Sequence, residues 1–372
     1  MGRVEKFVQV IIMKNNRLII IGNGFDLANG LKTKYSDFID WLLCDSYSRY
    51  NENHHFEDDC FCWGHNGSGA FNYIKDGTPI TGKVVVDFVK KYSASFNIKN
   101  SFLNFLLTEY YTEERWIDIE NHYFKRLLKF FTEKYNPAIM NDESNHKNRI
   151  IKKVSELNTE LEYLGKRLED YLMVINSRMS ETQFPYNPRA NINNILSLDE
   201  ESKIMYLNFN YTDTLIKKGY ACESELNYIH GRLGFKENPI VFGYGDENTS
   251  EIQQLEHAGV NEYIRKLKSF SYFKTPNYKA LLSFIDAQKF EVSIIGHSCG
   301  ITDRALLKEI FEHRNCTGIR VFFYEKTNGT DSFDETVLEI SRHFSDKQLM
   351  RRRVINKQQM DFIPQIPGKI DI

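Results

Sequence analysis

The fold of this chain is decided by one stretch near its amino terminus, Leu18-Ile19-Ile20-Ile21-Gly22-Asn23-Gly24-Phe25-Asp26. The apolar run predicts a buried strand of a parallel sheet, and the Gly-x-Gly after it predicts a tight turn. Small residues in such a turn let backbone amides approach a phosphate or a ribose. The third glycine of the dinucleotide fingerprint is missing, because Leu27 follows Asp26 directly. Despite this departure, we expect a nucleotide to contact the turn at Gly22, Asn23, Gly24 and Phe25.

The composition is that of an ordinary globular protein with little net charge. Of the 372 residues, 41% are hydrophobic and 26% are charged, and the formal net charge is -2. This balance gives no global electrostatic field that would favour nucleic acid or an anionic membrane. No apolar run approaches the roughly 20 residues that a membrane span needs. The six cysteines are scattered and no secretory leader is recognised, so we expect reduced thiols in a cytoplasmic protein.

The order of the predicted elements indicates an α/β fold with a large helical insertion. Residues 83 to about 180 are strongly helical, and apolar residues recur from Ile151 to Leu172 as in a coiled-coil seam. Such a seam offers a surface for a homo-oligomer. We divide the chain into three parts, namely a Rossmann-like nucleotide-binding domain at 14–82 and 201–345, a helical insertion subdomain at 83–200, and a C-terminal tail at 346–372.

Short apolar runs predict the strands of one sheet. Besides residues 18–21, these runs lie at 204–209, 226–230, 240–244, 292–296 and 319–324. Because helical stretches alternate with them, we expect a parallel sheet with helices on both faces. Ligands of such sheets bind beyond the carboxyl ends of the strands. Polar or small residues follow five of the predicted strands, at Asn23 and Asp26, at Asn210 and Thr212, at His230, at Gly243, and at Gly296, His297, Ser298 and Asp303.

Several motifs of this chain occur in the order of a known family. The first is residues 19–38, Ile-Ile-Ile-Gly-Asn-Gly-Phe-Asp-Leu-Ala-Asn-Gly-Leu-Lys-Thr-Lys-Tyr-Ser-Asp-Phe. The later ones are Trp116-x-Asp118-x-Glu120, Asn208-Phe-Asn-Tyr-Thr212, His230-Gly231, Phe273-Lys-Thr-Pro276, and Gly296-His-Ser298 with Asp303. This set, over residues 17–325, resembles the bacteriophage abortive infection AbiH family. The resemblance implies an antiphage defence protein whose activity a phage-derived trigger releases.

Motifs of the later half are similar, more distantly, to those around the nicotinamide ribose in sirtuin-like NAD-binding domains. The counterparts are Asn210-Tyr211-Thr212, His230-Gly231, Phe242-Gly243 and Gly296-His297-Ser298. Three features depart from that pattern: Thr212 stands where an acidic residue is usual, Tyr244 and Gly245 disturb the third motif, and His297 replaces a threonine. The zinc-binding cysteines of the sirtuin deacylases are absent as well. The resemblance implies NAD or a relative as the substrate of a sirtuin-like site.

With NAD as the substrate that the resemblance implies, we expect hydrolysis of the bond between nicotinamide and ribose, with no further cofactor. The reaction passes through an oxocarbenium-like state, so the enzyme must hold the ribose hydroxyls and place a water at the anomeric carbon. The amide of Asn210 can serve both tasks, and His230 can accept a proton near neutral pH. Asp26 or Asp303 could orient the imidazole or fix a ribose. Glu120 would bring a second carboxylate from the helical insertion.

Two other functions stay open at this point. One is a nucleotide-binding sensor that signals to a partner without cleaving anything. The other is a nuclease with a divalent metal, held by Asp26, Asp118, Glu120 and Asp303. Magnesium dependence and inhibition by EDTA would favour the nuclease, whereas the neutral overall charge weighs against it. We predict no zinc site, because the spacing of the nearest candidates fits no standard pattern, namely that of His54, His55, Cys60, Cys62 and His65.

Overall fold

The structure is a computed structural model, and it describes residues 15–64, 81–91, 96–112, 118–133, 143–179, 202–245, 249–326, 328–360 and 362–363. Trp116 and His65, both named above, lie outside the described residues. So does most of the segment that would link the helical insertion back to the sheet, at 180–201.

The described residues contain eight strands in two sheets. They are β1 (Asn16–Ile21), β2 (Phe56–Glu57), β3 (Phe61–Trp63), β4 (Phe96–Ile98), β5 (Ile204–Asn208), β6 (Leu226–Tyr228), β7 (Phe290–Ile295) and β8 (Cys316–Phe322). The larger sheet has the order β6-β5-β1-β7-β8, and all neighbouring strands are parallel. Counted along this sheet alone the order is 3-2-1-4-5, as in doubly wound nucleotide-binding folds. The predicted Rossmann-like sheet is confirmed. Strands β2, β3 and β4 form a small antiparallel sheet.

The helices of the described residues are α1 (Asn23–Ala28), α2 (Tyr35–Asn53), α3 (Gly82–Lys91), α4 (Ser101–Thr112), α5 (Ile119–Glu133), α6 (Glu143–Arg178), α7 (Thr214–Lys217), α8 (Ser250–His257), α9 (Asn261–Ile264), α10 (Lys268–Tyr272), α11 (Asn277–Ala287), α12 (Arg304–Glu312), α13 (Phe333–His343) and α14 (Lys347–Arg353).

Helices cover both faces of the larger sheet, as predicted. Successive side chains of a strand point to opposite faces. Along β1, Leu18 and Ile20 pack with α11, α12 and α13, whereas Ile19 and Ile21 pack with α1 and α7. All four side chains are completely buried. Each such side chain contributes roughly 1.5–3 kcal/mol by leaving water, which explains why the continuous apolar run forms the central strand.

A second hydrophobic core lies in the helical layer formed by α2 to α6. The apolar stripe of α6 is buried in it, at Val154, Leu157, Leu161, Leu164, Leu168 and Leu172. This stripe packs on α2, α4, α5 and α9 of the same chain. The predicted seam is therefore filled within one chain, and these leucines are not available to a second copy. The same core takes residues from α2 and from 233–267, so the helical layer draws on sequence on both sides of 83–200.

The strand predicted at 240–244 is not a strand of the sheet. Its only pairing in the described residues is a single bridge between Tyr244 and Leu267. Gly243 permits this approach, because a Cβ there would lie 2.1 Å from the carbonyl oxygen of Lys266. The ring of Tyr244 stacks on Phe124 of α5, with centroids 3.8 Å apart. The apolar run is thus explained by packing on the helical layer.

The segment after α13 packs along β8 at the edge of the larger sheet. Val354 forms a bridge with Ile319 of β8, and Phe362 forms one with Phe323. Arg353 is buried and donates to the carbonyl oxygen of Phe311. The predicted C-terminal tail is therefore packed on β8 at least as far as residue 363.

Candidate functional site

The chain reverses its direction across the sheet between the neighbouring strands β1 and β7. Parallel sheets bind ligands at such a switch point, beyond the carboxyl ends of the strands. The turns after the two strands touch, because Gly24 N–H donates to the carbonyl oxygen of Gly296 over 2.7 Å. A Cβ on Gly22 would lie 2.4 Å from the Cα of His297, and one on Gly24 would lie 2.9 Å from the Cα of Gly296. Close packing of two turns is thus what requires these glycines.

The backbone amides of the glycine turn, which the sequence predicts to approach a phosphate or a ribose, are largely hydrogen-bonded within the protein. Gly22 N–H donates to the carbonyl oxygen of Ile295, and Phe25 N–H donates to that of Gly22. With the amide of Gly24 also engaged, three amides of the turn are used inside the protein. Asn23 differs, since its side chain is exposed and hydrogen-bonded to Thr33. Asn23 is therefore the exposed side chain of this turn.

Asp26 lies in a buried cluster of neutral hydrogen-bond donors. Its two carboxylate oxygens accept from the hydroxyls of Thr212, over 2.6 Å, and Thr214, over 2.7 Å. Burial raises the pKa of Asp26 to about 6, although these donors and Asn210 oppose the shift. Asp26 does not contact His230 in this arrangement, and Thr212 is engaged with it. The carboxylate joins the turn after β1 to the segment after β5.

Asn210 supports the same junction. Its side-chain amide donates to the carbonyl oxygen of Gly22 over 3.0 Å, and its backbone N–H donates to Asn208 Oδ1 over 3.0 Å. The side chain is buried between the ends of β1 and β5. In this structure Asn210 holds two loops together, which differs from the ribose and water contacts that the sequence predicts for it.

Asp303 is the centre of the second cluster, which brings together residues from four separate segments. Its Oδ1 lies 3.0 Å from Lys268 Nζ and 3.3 Å from His230 Nε2, and its Oδ2 lies 3.6 Å from His297 Nε2. Lys268 also contacts Glu120 Oε2 over 2.9 Å. All five side chains are buried. We call these five residues the Asp303 cluster.

The charges of the Asp303 cluster compensate each other. Burial disfavours the Asp303 carboxylate, but Lys268 and His230 outweigh it and hold the pKa of Asp303 well below its usual range. Burial likewise opposes the charge of Lys268, yet Asp303 and Glu120 raise its pKa. Burial raises the pKa of Glu120 to about 7, with Lys268 opposing the shift. At neutral pH the pair of Lys268 and Asp303 is therefore ionised, and Glu120 is close to its titration point.

His230 is neutral and oriented by this cluster. Burial, reinforced by Lys268, lowers its pKa to about 4. Its Nε2 lies near Asp303 and 3.4 Å from the hydroxyl of Tyr272. Since a carboxylate only accepts, Nε2 carries the proton of the neutral ring. Phe209 packs edge-on against the ring. This leaves Nδ1 as the nitrogen that can take a proton from a substrate.

The turn after β7 is held in an unusual backbone conformation. Cys299 has a φ of 55°, a region that costs a residue with a side chain about 1–2 kcal/mol. Its N–H donates to His297 Nδ1 over 2.9 Å, and its carbonyl oxygen accepts from His343 Nε2 over 2.7 Å. Ser298, which lies between His297 and Cys299 in the sequence, is exposed. Ser298 and Asn23 are thus two exposed polar side chains beside the switch point.

The remaining predicted residues have structural partners. Glu120 Oε1 accepts from the N–H of Gly243 over 3.0 Å, so this amide is engaged with the helical layer. Asp118 accepts from the N–H of Asn121 at the start of α5. Lys268 is the residue that sequence reasoning missed. Because Glu120 and Asp303 were predicted to share one crevice, a nearby cation was needed to balance their charges. No motif in the sequence identified Lys268 as that cation.

The described residues contain neither a candidate metal-binding cluster nor a helix able to span a membrane. No group of three or more histidine, cysteine, aspartate or glutamate residues in this part of the chain could hold a metal ion. Among the helices of the described ranges, none has both the length and the apolar character needed to cross a membrane.

Comparison with known proteins gives one match. The sequence model of the family described as Bacteriophage abortive infection AbiH matches residues 18–325, which is most of the chain. No curated protein and no solved structure gives a significant match.

Proposed function

The chain belongs to the AbiH family of bacteriophage abortive infection proteins, and from this premise we propose that it hydrolyses NAD or a related nucleotide during antiphage defence. One observation carries the proposal. A neutral imidazole, His230, is held by the carboxylate of Asp303 beside the switch point of a Rossmann-like sheet. Nucleotides bind at this place in such sheets, and a paired histidine there is suited to proton transfer.

The chemistry uses residues of this chain alone. The bond between C1 of the ribose and the nicotinamide nitrogen breaks, and nicotinamide leaves as a neutral molecule without needing a proton. A water attacks C1, and its proton passes to His230, from which solvent later takes it. Asp303 stabilises the imidazolium in the meantime. ADP-ribose and nicotinamide are the products.

A sensor without turnover is the second candidate. The observation that favours it is the internal pairing of residues expected to hold the ligand: Asn210 is bonded to Gly22, and Thr212 to Asp26. A protein in this form would bind ADP-ribose or NAD and pass the signal to a partner.

A nuclease agrees less well with the geometry. Lys268 lies between Glu120 and Asp303, where a bridging metal would have to lie, and Asp26 belongs to the other cluster. A metal-dependent reaction would have to displace this buried lysine.

The test is incubation of the purified protein with NAD, with and without lysate of phage-infected cells as a source of the trigger. Nicotinamide and ADP-ribose are measured by chromatography. We expect turnover that EDTA does not abolish. His230→Gln should lower the rate by roughly 10²–10⁴-fold, as removal of a general base does. The matched control is His313→Gln, because His313 also faces an aspartate, the exposed Asp286, but lies before the start of β8 and outside the Asp303 cluster.

Other results would support one of the alternative functions or exclude His230 from the reaction. Binding of ADP-ribose in calorimetry without any product would support the sensor. Cleavage of DNA or RNA that requires magnesium and is abolished by EDTA, without cleavage of NAD, would support the nuclease. Equal rates for the wild type and His230→Gln would remove His230 from the mechanism.

A further inference from the structure

We propose that Lys268 is a positioning residue through which Glu120 of the helical layer controls the proton affinity of His230. The meaning of this control for catalysis rests on the proposed function, but the link itself can be measured without any substrate.

The link is a continuous chain of short contacts across three elements. Glu120 lies on α5, Lys268 begins α10, and Asp303 follows β7. Lys268 Nζ contacts Glu120 over 2.9 Å and Asp303 Oδ1 over 3.0 Å, and the same Oδ1 faces His230. The side chain of Lys268 is only 2% exposed. A charge this deeply buried stays ionised only while its partners remain in place.

The helical layer holds Lys268 at two points. Glu120 binds the ammonium through Oε2, while its Oε1 accepts from the N–H of Gly243. The backbone N–H of Lys268 donates to the carbonyl oxygen of Tyr244 over 2.8 Å, and the ring of Tyr244 stacks on Phe124 of α5. A displacement of α5 therefore moves both the backbone and the charge of Lys268. A trigger that acts on the helical layer has a direct route to the site.

The direction in which Lys268 shifts the proton affinity of His230 follows from the charges of the cluster. Lys268 and His230 approach the same carboxylate oxygen, so the ammonium opposes a second positive charge on the imidazole. When Lys268 is removed, the remaining partners of Asp303 in the cluster are the two histidines, and its negative charge then favours the imidazolium form of His230. Glu120, whose pKa is about 7, is itself protonated at the lower pH where His230 titrates, so it acts there through the contact that holds the ammonium beside Asp303. Loss of Lys268, or of the Glu120 contact that holds it, therefore raises the proton affinity of His230.

Other ionisable groups face the two ends of the link. Those near Glu120 are Lys268, Asp303, Asp118, Tyr35 and Tyr211. Those near His230 are Asp303, Lys268, His297 and Tyr272. Within the described residues, Lys268 is the member of both sets that carries a positive charge and touches both carboxylates, so its removal is the decisive change.

The experiment follows the His230 ring by NMR in protein labelled with ¹³C on histidine. His230→Gln identifies the signal among the ten histidines. Lys268→Met should raise the pKa of His230 by about one unit or more, as loss of an adjacent like charge does. Glu120→Gln keeps an oxygen for Gly243 but loses the one that contacts Lys268, so the pKa of His230 should rise in it as well, by less than in Lys268→Met. An unchanged titration in folded Lys268→Met or in folded Glu120→Gln would overturn the proposal.

Lys266→Met is the matched control. Lys266 also joins this segment to the helical layer, through Glu162 of α6 over 3.2 Å, but it belongs to neither set of groups. Its loss should leave the His230 titration unchanged, and a shift equal to that of Lys268→Met would overturn the proposal. Should Lys268→Met not fold, the double variant Lys268→Met with Glu120→Gln removes one charge of each sign. The pKa of His230 should still rise in it, and an unchanged value would overturn the proposal.

The result separates this link from the proposed function. Shifted titrations without NAD cleavage in any variant support the link and reject the hydrolase. Cleavage with unshifted titrations rejects the link and supports the hydrolase. If both hold, the acidic limb of the pH-rate profile should move upward in Lys268→Met together with the pKa of His230.

Discussion

Asp26 and Asp303 are buried carboxylates at the same edge of the sheet, but their partners differ in kind. Asp26 accepts from two neutral hydroxyls, of Thr212 and Thr214. Asp303 contacts the ammonium of Lys268 and two imidazoles. The pKa of Asp26 is raised by burial, whereas that of Asp303 is held low by Lys268 and His230 against the effect of burial.

The groups that a carboxylate contacts, more than its burial, thus determine what it can do at this edge of the sheet. Neutral donors fix Asp26 as a junction between the ends of β1 and β5. A cation and two histidines make Asp303 part of a proton-handling cluster that also reaches the helical layer. Equal substitutions at the two positions are therefore expected to have unequal effects.

The largest effect is expected for Asp303→Asn. It leaves Lys268 short of one partner and His230 without its carboxylate, so unfolding should become easier by about 3–5 kcal/mol, the usual cost of breaking a buried ion pair from one side. NAD cleavage should fall by roughly 10²–10⁴-fold. Denaturant unfolding and product chromatography measure the two. Asp286→Asn, at an exposed aspartate that faces His313, should change neither, and equal losses there would contradict the comparison.

A smaller and pH-dependent effect is expected for Asp26→Asn. The folded state raises the pKa of Asp26 to about 6 from its ordinary value of 3.8, so the contribution of Asp26 to stability is full below about pH 4 and is lost as the pH rises to about 6. Stability of the wild type relative to the variant should therefore fall by about 3 kcal/mol across that window. Urea midpoints of both proteins at several pH values measure this. Parallel curves would show that Asp26 is not held protonated.

The smallest effect is expected for Asn210→Ala. It removes the buried hydrogen bond to the carbonyl oxygen of Gly22, which should cost about 1–3 kcal/mol. Asn53→Ala is the control, because Asn53 makes a similar bond to Arg49 at an exposed position. Thermal unfolding of both variants checks this expectation. If Asn210→Ala loses NAD cleavage without any loss of stability, its role is catalytic, as the sequence alone predicts, and not the structural one seen here.

Much of the fold was readable from the sequence because burial leaves a local signal. The run at Leu18 to Ile21 predicted the central strand, and the alternation of strands and helices predicted the parallel sheet. The run at 240–244 was misread, because a short apolar segment has the same pattern whether it packs in a sheet or on a helical layer. The leucines of α6 were placed correctly on one face, but the pattern did not say which helices cover them.

The candidate site was predictable in its location and not in its pairings. The sequence by itself determined that His230, Asp26 and Asp303 lie at the carboxyl edge of a Rossmann-like sheet, because strand ends fix that position. Only the tertiary structure decided which partner each takes. Thr212 is 186 residues from Asp26, and Lys268 is 148 residues from Glu120. Contacts across such separations depend on how whole elements pack, and no local pattern of residues encodes them.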